Sequence, residues 1–405
     1  MTNYHVTEFQ PGQSIFLEGK HEKRFFIFVD GQVDVSKNIE TPDDDSETSI
    51  KKGDMVGVIA ALCEQPQLLS VTALSKVHLI FITNDQFETI VRENPSIAFT
   101  ILQGFSQRQR ILNDGLASLL GKGTNEEKPD FASILYNTGM YYESHNNMGA
   151  AWYCYDKYME SFPSGPAAED CRLRVLSFKE GNSKPAYEQN GLVRKYKKDS
   201  MIFAEGEAGD MLYIVTEGTV KIGKVAGDKE LIFAVDKPGD IFGEMALLDN
   251  APRSAAAIAN EDCTLTAVNK QGFQELTKAQ PAVIKRITQT LAERLWYMDK
   301  QFANLHIKDP AGRMFDAIVM HFEKDRADED ESYTFKFGLT ELSKMIGLEG
   351  EQIEIARNKV LENKFLTEKE GKLTVKDIVE IRKERDYYLS VQRRTDKKKP
   401  ARINT

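Results

Sequence analysis

Two stretches of this chain repeat one another. Residues 9–35, FQPGQSIFLEGKHEKRFFIFVDGQVDV, align with residues 196–222, YKKDSMIFAEGEAGDMLYIVTEGTVKI. Phe16 falls on Phe203, Glu18-Gly19 on Glu205-Gly206, and Asp30-Gly31-Gln32-Val33 on Glu217-Gly218-Thr219-Val220. The offset is 187 here and 186 from Gly53/Gly239 onward, through Phe87/Phe273 to Asn94-Pro95/Gln280-Pro281. One domain therefore occurs twice, and any fold assigned to one copy must suit the other.

Each copy is strand-like first and helical afterwards. Short apolar runs are separated by Glu-Gly, Asp-Gly and Lys237-Pro238-Gly239-Asp240, which are turn signals. That spacing predicts an antiparallel β-sandwich or β-roll. After Gln280-Pro281 the apolar residues Ile284, Ile287, Leu291, Leu295, Met298, Phe302 and Leu305 recur in steps of three and four. The heptad-like stripe predicts a long helix that packs on its own roll and also pairs with a partner.

Composition narrows the function classes. The net charge of −9 confines any nucleic-acid contact to a local patch. Cys63, Cys154, Cys171 and Cys263 form no CxxC, which fits a reducing compartment. The six histidines form no HxxxH or HExxH, so no metal site is expected. No P-loop, kinase signature or Gly-x-Ser-x-Gly occurs, so no enzyme is expected. No signal-peptide pattern opens the sequence, and RFFIFV at 24–29 is too short to span a bilayer. A cytoplasmic protein without a membrane partner is expected.

Residues 239–259, GDIFGEMALLDNAPRSAAAIA, carry the chemistry. Gly243 allows close backbone approach to a ligand. Met245 to Leu248 suit one short helical turn whose free N–H groups favour an anion. Arg253 adds a planar, permanently charged fork for phosphate oxygens, and Ala255, Ala256 and Ala257 leave room. Glu244 would repel an anion but could accept hydrogen bonds from a sugar hydroxyl. One carboxylate and one guanidinium together describe a nucleotide phosphodiester.

This stretch resembles the phosphate-binding cassette of the cyclic nucleotide-binding domain family. The resemblance implies that Glu244 holds the ribose hydroxyl, and that Arg253 with Gly243, Met245, Ser254 and Ala255 holds the cyclic phosphate. The implied ligand is a cyclic nucleotide, cAMP ahead of cGMP. Residues 53–73, GDMVGVIAALCEQPQLLSVTA, align without a gap but place Val58 at Glu244, Gln67 at Arg253 and Leu68-Leu69 at Ser254-Ala255. An unpaired phosphate there would be poorly compensated. The first copy is expected to keep the fold without binding a cyclic nucleotide in the usual way, and either to bind something apolar or only to contact other domains.

Residues 131–163 place Gly139, Tyr142, Ala151, Tyr155 and Pro163 at the spacing of a tetratricopeptide repeat. They resemble one helix–turn–helix unit of that family, with Tyr158 replacing a usual small residue; an ordinary helical linker stays open. Tyr136, Tyr141, Tyr142, Trp152, Tyr153, Tyr155 and Tyr158 are expected to pack rather than bind. GTNEEKPD, 123–130, is the expected junction.

Asp309-Pro310 signals a helix start. Its face is Met314, Phe315, Ile318, Val319 and Phe322. Thr340 is then expected to cap ELSKMIG, a further helix runs over 349–363 with Ile353, Ala356 and Val360 inward, and two strands flank Glu370-Gly371. Helix, turn, helix and hairpin describe a winged helix-turn-helix. Its place after the second copy resembles the Crp/Fnr family of bacterial transcription regulators. That resemblance implies a dimerising long helix that touches the base, here through Met298 and Asp299. It also implies DNA readout, with Glu351, Gln352, Arg357 and Lys359 as the contacting residues. The helix is acidic for that task, and nine Lys/Arg against three acids in 382–405 would compensate.

The expected organisation is α+β and multidomain. A degenerate cyclic nucleotide-binding β-roll (1–122) precedes a helical tetratricopeptide-like linker (128–185). A ligand-binding β-roll, jelly-roll-like, with its long helix follows (190–305), then the winged helix (306–381) and a basic tail (382–405). The expected function is a cyclic-nucleotide-responsive DNA-binding regulator. The alternative is a ligand-gated interaction or scaffold protein that reads no DNA. An internal pseudo-dimer and a homodimer through the helix 281–305 both remain open.

Overall fold

A computed structural model of the chain describes residues 6–38, 50–120, 130–178 and 187–397. The expected junction, apart from Asp130, and residues 398–405 of the expected tail lie outside them. The chain divides into two compact units that do not follow the repeat: residues 1–83 with 293–405, and residues 84–292.

The second unit holds the second copy's strands in two antiparallel sheets. One has the order Met201–Phe203, Ala256–Ala259, Val220–Ala226, Lys229–Asp236. The other runs Ile241–Phe242, Met211–Glu217, Cys263–Asn269, Val193–Tyr196, Tyr187–Asn190. Cys263, Leu265 and Ala267 alternate inward along their strand and join Phe203, Tyr213 and Phe242 in one core. The first copy repeats the strand orders in the first unit. Ser14–Phe16, Ser70–Ala73 and Val33–Ser36 form one sheet, and Met55–Val56, Arg24–Asp30, Val77–Thr83 and Val6–Phe9 the other. Alternation along such a strand places one face inward.

The long helices do not stay wholly with their own rolls. The helix Pro95–Leu120 follows the first copy in sequence but lies in the second unit. There Arg110 Nη1 donates to the Pro252 carbonyl at 2.8 Å, and Lys224 Nζ lies 2.9 Å from Asp114. Lys224 also meets Glu205 at 2.6 Å. Burial opposes the lysine charge, but Glu205 and Asp114 outweigh it and raise its pKa. The helix Pro281–Leu305 starts in the second unit, and its C-terminal half lies in the first. There Trp296 Nε1 donates to the Pro66 carbonyl at 2.9 Å, and Asp299 pairs with Lys37 at 3.3 Å. Ile284, Ile287, Leu291, Leu295, Met298 and Phe302 of its expected stripe are all buried.

The middle segment forms the helices Phe131–Ser144, Met148–Ser161 and Ala168–Ser177, the first two capped by Asp130 and Asn147. A Cβ on Gly139 would lie 2.5 Å from the Tyr155 ring, which explains the glycine. Tyr158 is accommodated because Gly165 leaves space for its hydroxyl, which accepts from the Ala167 N–H at 3.1 Å. These helices share a core with Met201, Ala204, Ala256 and Ile258 of the roll. Tyr142 and Tyr153 donate to Glu230 and Glu207 at 2.6 and 2.8 Å, so the segment is bound to its roll by apolar burial and by hydrogen bonds.

The C-terminal module comprises the helices Pro310–Lys324, Leu339–Met345 and Glu351–Leu361. A three-stranded sheet is ordered Tyr333–Thr334, Lys372–Val375, Leu366–Lys369. Asp309 Oδ1 accepts from the N–H groups of Ala311 and Gly312, as a cap should. Glu370 and Gly371 both have positive φ, as a two-residue hairpin turn requires. Two expectations are corrected. Thr340 is not a cap: the helix begins at Leu339, and Glu368 Oε1 accepts its N–H at 2.8 Å. Residues 382–397 are not a detached tail: one helix runs Ile378–Lys397, and Ile381 and Tyr388 pack into the module's core. The boundary at 381/382 therefore falls inside a packed helix.

Candidate functional site

Gly243 has φ 74° and starts the six-residue helix Glu244–Asp249, and Asn250 ends it at φ 54°. The left-handed start turns the chain sharply out of Ile241–Phe242. The first copy builds the same turn, with Gly57 at φ 75° before Val58–Cys63 and Glu64 at φ 54° after it. The local shape is thus preserved where the chemistry differs.

Arg253 is buried. Its Nη1 donates to the Gly243 carbonyl at 2.6 Å, its Nη2 donates to the Met211 carbonyl at 2.8 Å, and Nε has no hydrogen-bond partner. The guanidinium lies 4.1 Å from the Phe203 ring centroid. Its backbone is fixed from both sides, by Arg253 N–H to Glu207 O and Gly206 N–H to Arg253 O, each 2.8 Å. Two glycines make its cradle. A Cβ on Gly209 would lie 2.4 Å from Cζ, and one on Gly243 would lie 2.6 Å from Nη1. Burial lowers the Arg253 pKa, while Tyr213, Glu207, Glu244 and Asp210 act against that shift. Glu244 is itself buried, Ser254 Oγ lies 3.2 Å from Met245 Sδ, and Ala255 to Ala257 are buried. Gly243, Glu244, Met245, Arg253, Ser254 and Ala255 are therefore brought together.

In the first copy Gln67 follows the path of Arg253. Its N–H donates to Lys20 O, Gly19 N–H donates to its carbonyl, and its buried Nε2 has no partner. A Cβ on Gly57 would lie 2.5 Å from Phe16 Cζ and 3.2 Å from Gln67 Oε1.

Asp299 belongs to the unit of residues 1–83 and 293–405, where it is buried and paired with Lys37, and Met298 is buried in that same unit. The helix beside the Glu244–Asp249 turn is Pro95–Leu120, whose Arg110 and Asp114 approach the second roll. Gly209, Phe203 and Met211 were also missed. The repeat carries a usable signal for the first: Glu22 stands where the second copy has Gly209, so the glycine and Arg253 are lost together.

The expected DNA-contacting residues lie on Glu351–Leu361. Glu351, Gln352 and Lys359 are exposed, with Glu354, Ile355 and Asn358 between them. Arg357 pairs with Glu368 at 2.9 Å, and Lys359 with Glu362 at 2.7 Å. Among the described residues no helix is long and apolar enough to cross a membrane.

Two copies of one β-roll occur, and the second sets a buried arginine in electrostatic reach of a buried glutamate. The cyclic nucleotide-binding domain family matches residues 6–94 and 193–280. The chain is 27% identical over 164 residues to the CRP-like cAMP-activated global transcriptional regulator of Mycobacterium tuberculosis, covering 40% of this chain and 73% of that protein. It is 34% identical over 127 residues to the Cyclic AMP receptor protein of Thermus thermophilus, covering 31% and 59%. Among solved structures, the Thermus thermophilus Catabolite Activator Protein aligns at 25% identity and a TM-score of 0.28, over 56% of this chain and 98% of that one. The cyclic nucleotide-binding domain model thus matches the chain twice, and part of the chain is similar to Crp-type regulators.

Proposed function

We propose that the chain is a cyclic-nucleotide-responsive transcription regulator of Crp/Fnr type, with the sensor in the second copy and the output in the C-terminal module. The observation that carries this reading is the Arg253 guanidinium, buried in a two-glycine cradle with Nε unpartnered and Glu244 in the same turn. A buried donor without an acceptor is costly, and a phosphate oxygen would satisfy it. Arg253 with Gly243, Met245, Ser254 and Ala255 would hold the cyclic phosphate, and Glu244 the ribose hydroxyl. A bound nucleotide would supply the acceptor that Arg253 Nε lacks. cAMP is the first candidate, because the relatives named above are cAMP-activated or cAMP receptors. The module would act as a winged helix-turn-helix on DNA, and the middle helices as a tetratricopeptide-like unit. No catalytic role is proposed.

A second reading, a ligand-gated interaction protein, is favoured by one observation. The outward face of Glu351–Leu361 carries Glu351, Glu354 and Ile355, and both its basic side chains face acids. Like charge facing phosphates is unfavourable.

Calorimetric titration of the full chain with cAMP and with cGMP, beside Arg253→Ala, tests the sensor. One site per chain that is lost in the variant is expected. Two sites would overturn the reading of Val58 and Gln67, and none would leave the cassette as inherited shape.

A further inference from the structure

The first copy has lost the groups that would hold a phosphate, yet its cassette turn is engaged on two sides within its own unit. Gln65 Nε2 donates to the Glu323 carbonyl at 2.9 Å, and Arg326 Nη2 donates to the Cys63 carbonyl at 3.0 Å. The same Arg326 Nη2 reaches Glu293 Oε1 of the long helix at 2.8 Å, and Trp296 of that helix holds the Pro66 carbonyl. Glu323 and Arg326 flank the end of Pro310–Lys324, the first helix of the C-terminal module.

We propose that the turn 63–66 is a binding site whose ligand is the chain's own segment 323–326. The first copy thereby seats the C-terminal module in one position without any small molecule. The proposal does not depend on nucleotide binding by the second copy.

Three observations favour a seat. Gln65 stands where the second copy has Ala251, so the amide that reaches Glu323 belongs to the first copy alone. Gln65 is 4% exposed, so its amide is largely removed from water, and the bond to Glu323 is part-buried. Arg326 has φ 53°, a left-handed conformation that a non-glycine residue holds only where its surroundings fix it. Both partners of the Arg326–Glu293 pair are about half exposed, at 53% and 52%, which makes that link weak. A restraint built from one shielded amide and one exposed guanidinium can be released.

The test is hydrogen exchange on the full chain and on two variants. Gln65→Ala copies the second repeat. Arg326→Gly deletes the guanidinium and relieves the left-handed backbone, so it should not unfold the module. Exchange at the C-terminal end of Pro310–Lys324 should accelerate roughly fivefold to tenfold in each variant, the loss expected for one or two hydrogen bonds. In a Trp152→Phe background the Trp296 emission should shift with it. Unchanged exchange in both variants would overturn the proposal. So would an equal rise throughout the first roll, which would mean that these contacts hold the fold rather than seat the module.

Discussion

Arg110 and Trp296 make the same contact on opposite copies. Arg110 donates to the Pro252 carbonyl at 2.8 Å, and Trp296 donates to the Pro66 carbonyl at 2.9 Å. Each donor and each proline is related to its counterpart by the repeat offset of 186. The roll of each copy is thus met by the long helix of the other, and each contact closes inside one compact unit. Helix exchange of the kind a homodimer could supply is made within a single chain.

Substituting these donors should have unequal effects. Trp296→Phe leaves the buried Pro66 carbonyl unpaired and opens a void, which should cost about 2–3 kcal/mol in urea unfolding. Arg110→Ala, at a partly exposed site, should cost less than about 1 kcal/mol. It should weaken anion binding at the second copy by only about threefold, because the charge lost lies beyond the cradle. Unfolding curves and calorimetry on the two variants check both halves.

Gly209→Ala should act on the site rather than the fold. The added Cβ would meet Arg253 Cζ and Nε at 2.4 Å, so the guanidinium must move. Gly209 has no left-handed φ to lose, and the melting temperature should change little. Cyclic nucleotide affinity should fall about tenfold or more, as small shifts of a buried bidentate group do. Equal affinity in the variant would remove Arg253 from the phosphate contact.

Acid should loosen the C-terminal module through His321. Burial, with Lys324 nearby, lowers its pKa to about 4. The imidazole is packed against Phe337 and Tyr297. Between that value and the usual pKa near 6.5 the unfolded chain binds the proton and the folded chain does not. Stability from this group is complete above about pH 6.5 and is lost as pH falls toward 4, by on the order of 3 kcal/mol. Urea midpoints at pH 7.5 and 5 should differ in the wild type and differ less in His321→Gln.

DNA affinity, where present, should come from the basic end of the last helix. Arg393 and Arg394 are exposed. Replacing both by alanine should lower the salt slope for random duplex binding by about two. Deleting from residue 382 would confound that test, because Ile381, Tyr388 and their helix belong to the module's core. No salt-dependent binding by the wild type would favour the interaction-protein reading.

Much of the site was legible because its parts are contiguous. Gly243, Glu244, Arg253 and the alanines after it lie within one short stretch, and the turn chemistry is local. The surroundings of Asp299 were not legible, because they required knowing which roll the long helix would meet. An apolar stripe such as Ile284, Leu291 and Leu295 states that a helix will be buried, not against what. Thr340 failed as a cap because Glu368, from a strand more than twenty residues away, took the role.

The repeat by itself determined that two rolls of one design occur, that one lacks its charged pair, and that a helix follows each. These follow from short apolar runs, turn signals and residue chemistry, all of short range. Which helix meets which roll was decided only in the tertiary structure. Two rolls of one strand order offer two similar docking surfaces, and neither helix sequence says which one it will cover. The decision rests on pairs such as Arg110 with Pro252, Lys224 with Asp114 and Trp296 with Pro66, whose members lie more than a hundred residues apart.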